Sequence, residues 1–510
     1  MKRLAFAAVA ALALAADAAW ERAGMVQLTD TTGLMAAVAK FGEMTGNQMI
    51  GAMAASQLPQ LPGGDFFGPM RQGASVAMPV YFDSEAFAKD PSDVMDAVEF
   101  AVVYPMALPK DEFLKLHPGA VETNGLLRVN GKPLASKDDW DDGDFAYVAF
   151  SEDGKWAVAS DKPEQVAPGL ACVAAASAPM GGDLVRLSVE PKGIEAVREA
   201  VMASAKADTN VAARARIKNV MDMFSGIADC EVSFGVGDAG MDIRGRCRTV
   251  EGSELAKVGL KTLPPDCLAS AGADAVFAVS DIMFRQEPVA ARQWRSVLEV
   301  VAKQGIDVGA FLKLEEGPAS ARLVMDVPAL LAFKAAATNS FENLDVAGLC
   351  EAVVAGVPEC RILGAAESAY AQSFAFAGFT PKFTAAQRFA ATMPEANGKS
   401  LCQASAFSVS SVIRAVAPAV VASLPEADRA SVQPLLALLP QECAGGIAIM
   451  CWRDGDLLRL LYRFSADEMK GLGACSSAVV AYAMMNNGRK ASCGAEGCDN
   501  DGGDDDGDDD

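Results

Sequence analysis

Histidine is almost absent: the 510 residues contain one, His117. It lies in Leu116-His117-Pro118-Gly119, a turn sequence in which an exposed loop residue is expected. A single imidazole excludes zinc sites built from several histidines. No Gly-x-Ser-x-Gly elbow supplies a serine for it to activate. Twelve cysteines contain no Cys-x-x-Cys pair, so the commonest cysteine zinc sites are missing as well.

Phosphate loops are also lacking. Gly398-Lys399-Ser400 ends like a Walker motif, but Met393 stands where its first glycine belongs. Gly125 to Lys132 is one residue too long and runs into Pro133. Gly235-x-Gly237-x-x-Gly240 matches the dinucleotide fingerprint literally, yet Met241 and Ile243 continue with strand alternation. No helix N-terminus then faces a pyrophosphate, and the glycines read as a hairpin.

Long apolar runs and basic clusters are missing too. Leu4 to Ala16 is well short of the roughly 20 residues that cross a bilayer. Val409 to Leu424 and Ala474 to Met485 are interrupted and read as core helices. Lysine and arginine number 44 against 66 acidic residues, a net charge of -22. Repulsion excludes nucleic acid as a partner and disfavours an anionic membrane face.

What is present begins with an export signal. Lys2 and Arg3 precede the apolar run, and Ala16-Asp17-Ala18 offers small residues for cleavage after Ala18. No cysteine sits there to carry a lipid. The expected location is periplasmic or extracellular, without a lipid anchor and without a transmembrane segment after cleavage. At this length more than one core is expected, since single cores stop growing near roughly 250–300 residues.

Two stretches organise the rest. Asp208 to Gly259 and Pro425 to Gly473 each read as helix, cysteine (Cys230, Cys443), two strands about a glycine turn, then a short acidic-led helix. Arg244 aligns with Arg459 and Gly259 with Gly473. The pattern predicts an α+β protein of two related domains in tandem, each an antiparallel sheet with helices packed on it. The expected division is 1–18 signal peptide, 19–262 first domain, 263–490 second domain and 491–510 a tail, with Leu263-Pro264-Pro265 at the boundary. The tail's Asp/Gly run, Asp499 to Asp510, is expected to be disordered. It lacks the oxygen spacing and closing glutamate of a calcium loop, leaving only weak divalent-cation binding.

Local patterns fill in the elements. Thr31 or Thr32 is expected to cap a helix carrying Leu34, Val38 and Phe41. Hairpins are expected about Asn130-Gly131 and Asp153-Gly154. Met35, Met44, Met49, Met53, Met70 and Met78 suit core filling, with an adaptable apolar groove as the sharper reading.

For chemistry, Asp138 to Asp144 is the densest carboxylate cluster of the folded part. Trp140, Asp141 and Asp144 are its speculative ligand-binding residues, since an aromatic face beside carboxylates suits a sugar or cation. The disulfide candidates are the near pairs Cys350/Cys360, Cys443/Cys451 and Cys493/Cys498, against buried free thiols. No catalytic residue, metal site or cofactor is assigned. The functional expectation is an exported cell-envelope or periplasmic protein that binds or scaffolds without catalysis, its partner a protein or an apolar ligand. A secreted hydrolase using Asp/Glu chemistry is the alternative, and a cation-responsive surface protein acting through the tail is the second.

Overall fold

In a computed structural model, the structure describes residues 21–46, 64–83, 86, 97–134, 140, 143–207, 225–257, 260, 262–264, 266–281, 289–336, 345, 370–441 and 444–495. The signal segment, the acidic tail, the connector at 84–94 apart from Ala86, and the helices expected over 208–224 and 344–357, apart from Asp345, lie outside them.

The strands are β1 (Glu21–Leu28), β2 (Val76–Phe82), β3 (Val98–Phe100), β4 (Val102–Pro105), β5 (Val121–Thr123), β6 (Leu126–Asn130), β7 (Phe145–Phe150), β8 (Trp156–Ser160), β9 (Asp183–Val189), β10 (Ile227–Gly237), β11 (Gly240–Thr249), β12 (Phe277–Asp281), β13 (Leu312–Gly317), β14 (Ser320–Met325), β15 (Tyr370–Phe376), β16 (Leu401–Phe407), β17 (Ile447–Asp454) and β18 (Leu457–Ser465). Apart from single turns, the helices are α1 (Thr31–Thr45), α2 (Lys110–Leu116), α3 (Pro163–Ala171), α4 (Pro191–Ala207), α5 (Val289–Lys303), α6 (Val327–Ala336), α7 (Ala385–Thr392), α8 (Val409–Ser423), α9 (Glu426–Val432) and α10 (Ala466–Ala495).

The chain is α+β, with one large, mostly antiparallel sheet. Its strands pair in the order β5-β6-β7-β8-β4-β2-β1-β9-β10-β11-β18-β17-β16-β12-β15-β14-β13. β3 extends the β4 position along β2, and the β14–β15 pair is parallel. Strands from both sides of Leu263 therefore share a sheet, joined where β11 meets β18 from Gly240↔Ser465 to Arg248↔Leu457.

The Gly235 to Gly240 segment forms the expected hairpin: β10 and β11 pair from Gly237↔Gly240 across Asp238-Ala239. Gly240 has φ 132°, and a Cβ there would run into the Phe464 carbonyl across the β11–β18 seam. A glycine is therefore needed both for the backbone angle and for the approach of the two strands. The hairpin expected about Asp153-Gly154 forms as well, joining β7 to β8, whereas two other local signals are displaced. The helix cap is Asp30, whose Oδ1 accepts the Gly33 N–H at 2.7 Å, in place of Thr31 or Thr32. The Asn-Gly turn with two positive φ angles is Asn124-Gly125, at 54° and 80°, joining β5 to β6. β6 pairs instead with β7. Pro133, lacking an N–H, suits no partner strand after Asn130-Gly131.

α7 begins with a capping box, Thr384 and Gln387 bonding reciprocally, as the threonine-x-x-glutamine spacing predicts. The helix after β18 is far longer than the short one expected, running to Ala495. Cys475 and Ala478 on it are buried against Leu439, whereas Val479, Val480 and Tyr482 are exposed, so Ala474 to Met485 is only partly core. Among the described residues no helix is long and apolar enough to cross a membrane.

Two polar clusters tie the helices and strands together. Glu468, fully buried in the first turn of α10, accepts from Ser410 N–H at 2.9 Å, Ser408 Oγ at 2.9 Å and Ser410 Oγ at 2.8 Å. It thereby pairs the Ser410 N–H in the first turn of α8, while Ser408 Oγ caps the Ser411 N–H at 3.1 Å, so that these two end groups are not buried unpaired. At the seam, Arg463 Nε and Nη2 donate to Asp242 Oδ1 and Oδ2 at 2.7 and 2.9 Å, and Nη1 donates to both Glu395 oxygens at 2.7 and 2.9 Å. The Asp242 hydrogen bonds raise the Arg463 pKa, burial opposing. Both partners of this pair are less than a tenth exposed. Removing one carboxylate strands a buried guanidinium. Asp242→Ala should cost about 3–5 kcal/mol in equilibrium urea unfolding, and adding Arg463→Met should recover much of it.

Candidate functional site

Of the predicted loop residues, Trp140 and Asp144 can be placed. Trp140 packs inward, its ring 6.1 Å from that of Phe66 and over Gly131. Asp144 Oδ1 pairs with Lys132 Nζ at 3.0 Å, and its carbonyl accepts the Gly131 N–H at 2.8 Å. Asp141 lies outside the described residues. Trp140 therefore serves the core around Phe66, Phe67 and Phe113, and Asp144 holds the loop. Met44 is buried, Met70 and Met78 pack against the first-half core, and Met35 is exposed; Met49 and Met53 lie outside the described residues. His117 is not a free loop residue: Nε2 is 2.7 Å from the Phe66 carbonyl, and the ring is 4.6 Å from Phe113.

The arginines on one sheet face could resemble an anion site. Each has a carboxylate instead: Arg244 bonds Asp183 and Asp242 at 3.0 and 2.7 Å, Arg186 bonds Asp183 at 2.9 Å, and Arg246 bonds Glu231 at 2.7 Å. Arg248 pairs with Asp229 at 2.9 Å and Arg459 with Asp454 at 2.8 Å. The face is a charge-matched ladder, and its positive charge is already spent.

A carboxyl with altered acidity stands on β3. Burial, then the charge of Asp161, pushes Glu99 up to about 7, while Lys162, 3.5 Å away, opposes. Such a group could hold a proton near neutrality, yet none of the cavities described below contains it.

The cavity of suitable character lies in the second half. Phe277 on β12 is the register partner of both Phe374 on β15 and Phe407 on β16, and Leu323 on β14 is the partner of Phe374. Side chains of directly opposed residues share a face of the sheet, so these four form a row across β14-β15-β12-β16. Trp294 from α5 and Val409 and Val412 from α8 border it, leaving a partly open space of about 300 Å³. The Phe277 and Phe407 rings are 6.0 Å apart, and Phe277 remains 38% exposed. Ser373 and Ser408 also line the space, but Ser373 Oγ donates to the Ala271 carbonyl at 2.6 Å and Ser408 Oγ to Glu468 at 2.9 Å. Gln372 adds a further polar side chain. Such a lining favours a small apolar ligand with one polar end. A larger depression of about 980 Å³ by Arg71 and Trp156 is bordered by the turn residues Ser151 to Asp153, and Arg71 already stacks over the Trp156 ring at 4.9 Å.

Among the described residues no cluster of three or more potential ligands could hold a metal ion. Of the expected disulfide cysteines, Cys350, Cys360, Cys443 and Cys498 lie outside the described residues, and Cys493 is described only as helical backbone. Cys451 is a buried thiol, and Cys402 Sγ is 3.4 Å from its carbonyl. The cavity's aromatic residues were individually visible as strand residues, above all in the small–aromatic alternation of Tyr370 to Phe376. Their convergence depends on strand order, which no local signal carries.

Comparison with protein-family models, with curated proteins and with solved structures finds no match to this chain.

Glu99 also makes stability pH-dependent. Its folded pKa of about 7 exceeds the roughly 4.3 of an unfolded glutamate. The contribution of its retained proton is therefore complete below about pH 4.3 and is lost as pH rises through 7. Glu99→Gln should raise Tm relative to wild type at pH 8 and leave it nearly unchanged at pH 4, as thermal melts at the two pH values would show.

Proposed function

We propose that this chain is an exported cell-envelope protein that binds a small apolar ligand without catalysis, through the cavity between α5, α8 and the β14-β15-β12-β16 face. The observation that carries the reading is the lining: Phe277, Phe374, Phe407, Trp294 and Leu323 bring apolar surface together, while the serines beside them are already hydrogen-bonded to other groups. The export part rests on the basic, apolar and small-residue pattern of the first eighteen residues.

The proposal includes an origin by duplication of one α+β unit, with the boundary at Leu263. Its support is the parallel neighbour order β1-β9-β10-β11 and β12-β16-β17-β18, in which each unit's first strand lies beside the strand preceding its closing hairpin. Matching the hairpins by their two-residue turns, Asp238-Ala239 and Gly455-Asp456, aligns Arg246 with Arg463. It also aligns Cys230, inside β10, with Ile447 at the start of β17. Under that alignment Cys230 and Cys443 are not equivalent, nor are Arg244 and Arg459.

An uncharged, polarity-sensitive dye such as N-phenylnaphthylamine tests the ligand reading. The folded protein should bind it at one site and release it to a competing acyl chain. Phe277→Asp should weaken binding at least about tenfold, or ~1.4 kcal/mol, in protein whose circular dichroism remains that of the folded wild type. Absence of dye binding to the folded protein would overturn the reading.

A further inference from the structure

Cys230 and Cys247 are direct register partners on β10 and β11. The hairpin that carries them has a two-residue turn between Gly237 and Gly240. In such a hairpin the flanking residues form a hydrogen-bonded pair, and the two pair classes alternate along the ladder. The register from Gly237↔Gly240 to Cys230↔Cys247 is uninterrupted; the irregularity lies beyond it, between Ile227 and Asp229. Stepping along the ladder puts Cys230↔Cys247 in the non-hydrogen-bonded class, where opposed Cα atoms are about 4.5 Å apart and side chains are closest. A disulfide requires Cα atoms roughly 4.4–6.8 Å apart, so this position can be bridged without moving the strands.

We propose that Cys230 and Cys247 form a redox-active pair that closes into a cross-strand disulfide and staples the β10–β11 hairpin. In this structure both are thiols, and both are only partly buried, so a small oxidant can reach them. Cys402 and Cys451, also close together, are buried and lack that access.

The oxidant is a low-molecular-weight disulfide such as oxidised glutathione. The thiolate of one cysteine attacks an oxidant sulfur, forming a mixed disulfide and expelling one glutathione thiolate. The second cysteine then loses its proton, attacks the protein sulfur of that mixed disulfide and expels the second. The protein loses two electrons and two protons, one S–S bond forms and one breaks, and the oxidant is reduced to two thiols. Burial pushes the Cys230 thiol up to about 11 and the Cys247 thiol up to about 12, with the Asp229 charge adding to both and Cys230 adding to Cys247. Few thiolates are present at neutral pH, so closure is slow there and accelerates in alkaline buffer.

The test uses the full chain, purified reduced, incubated with oxidised glutathione at pH 8.5, alkylated with N-ethylmaleimide and digested without reduction for mass spectrometry. The expected product is a peptide pair joining Cys230 to Cys247, two hydrogens lighter than its separate parts and released by dithiothreitol. In Cys247→Ser the pair should vanish and Cys230 should appear alkylated or glutathionylated. Wild type in which Cys230 and Cys247 remain alkylated or singly glutathionylated, or in which Cys230 is joined to another cysteine, would overturn the proposal. The wild-type arm needs no variant, so misfolding of a mutant could not mask the answer.

Discussion

The contact on which the architecture depends is the buried ion pair of Asp242 and Arg463. They are register partners on the two strands where the halves meet, and each is almost completely removed from water. A charge in such a place must be matched or it opposes folding by several kcal/mol. Matching constrains more than two residues: the guanidinium also takes Glu395 and the Thr392 carbonyl, which fixes the end of α7 over the seam, while Asp242 passes the linkage through Arg244 to Asp183. Backbone pairing between β11 and β18 tolerates other registers in principle, because any two strand edges can hydrogen-bond. The charge ladder selects one, since a slip by one residue would turn every member to the opposite face.

Charged and polar side chains throughout the molecule are used in this manner. Glu468 is held by two serine hydroxyls and a backbone N–H at the start of α8. Arg388, fully buried, donates to the Ala275 carbonyl and to Ser411. These groups have the residue types of catalytic machinery but are enclosed and committed to helix ends and strand edges. The cavity between α5, α8 and the sheet is instead bordered by rings. That division, polar groups holding the frame and aromatic groups facing a cavity, is what supports the proposed binding role.

Much of the fold was legible because it is local. The β10–β11 hairpin follows from strand alternation on both sides of a two-residue turn, and the β7–β8 hairpin from the strands that flank Asp153-Gly154. Legibility failed where two local signals competed: Asn124-Gly125 and Asn130-Gly131 are six residues apart and chemically identical, and the neighbourhood of Pro133 decided between them. It failed again wherever partners are distant in sequence. Phe277, Phe374 and Phe407 meet because β15 and β16 flank β12, an order that no periodicity specifies. Cys402 and Cys451 show the same limit, since they are 49 residues apart and adjacent strands β16 and β17 bring them together. Trp140 and Asp144 drew notice through composition alone, and packing and a lysine account for them.

The seam has a further consequence for a chain that is made from the N-terminus. β11 is complete more than two hundred residues before β18 exists. During that interval its outer edge is an unpaired row of N–H and C=O groups, the kind of edge that recruits strands from other chains. Arg244, Arg246 and Arg248 alternate along this strand, each exposed or nearly so even in the finished protein. Their carboxylate partners Asp183, Asp229, Glu231 and Asp242 lie on β9, β10 and β11 and are made with them, so a layer of solvated ion pairs flanks the open edge until β18 arrives, and a charged edge recruits foreign strands less readily than an apolar one. The ion pairs beside the seam are thus also guards of the nascent chain.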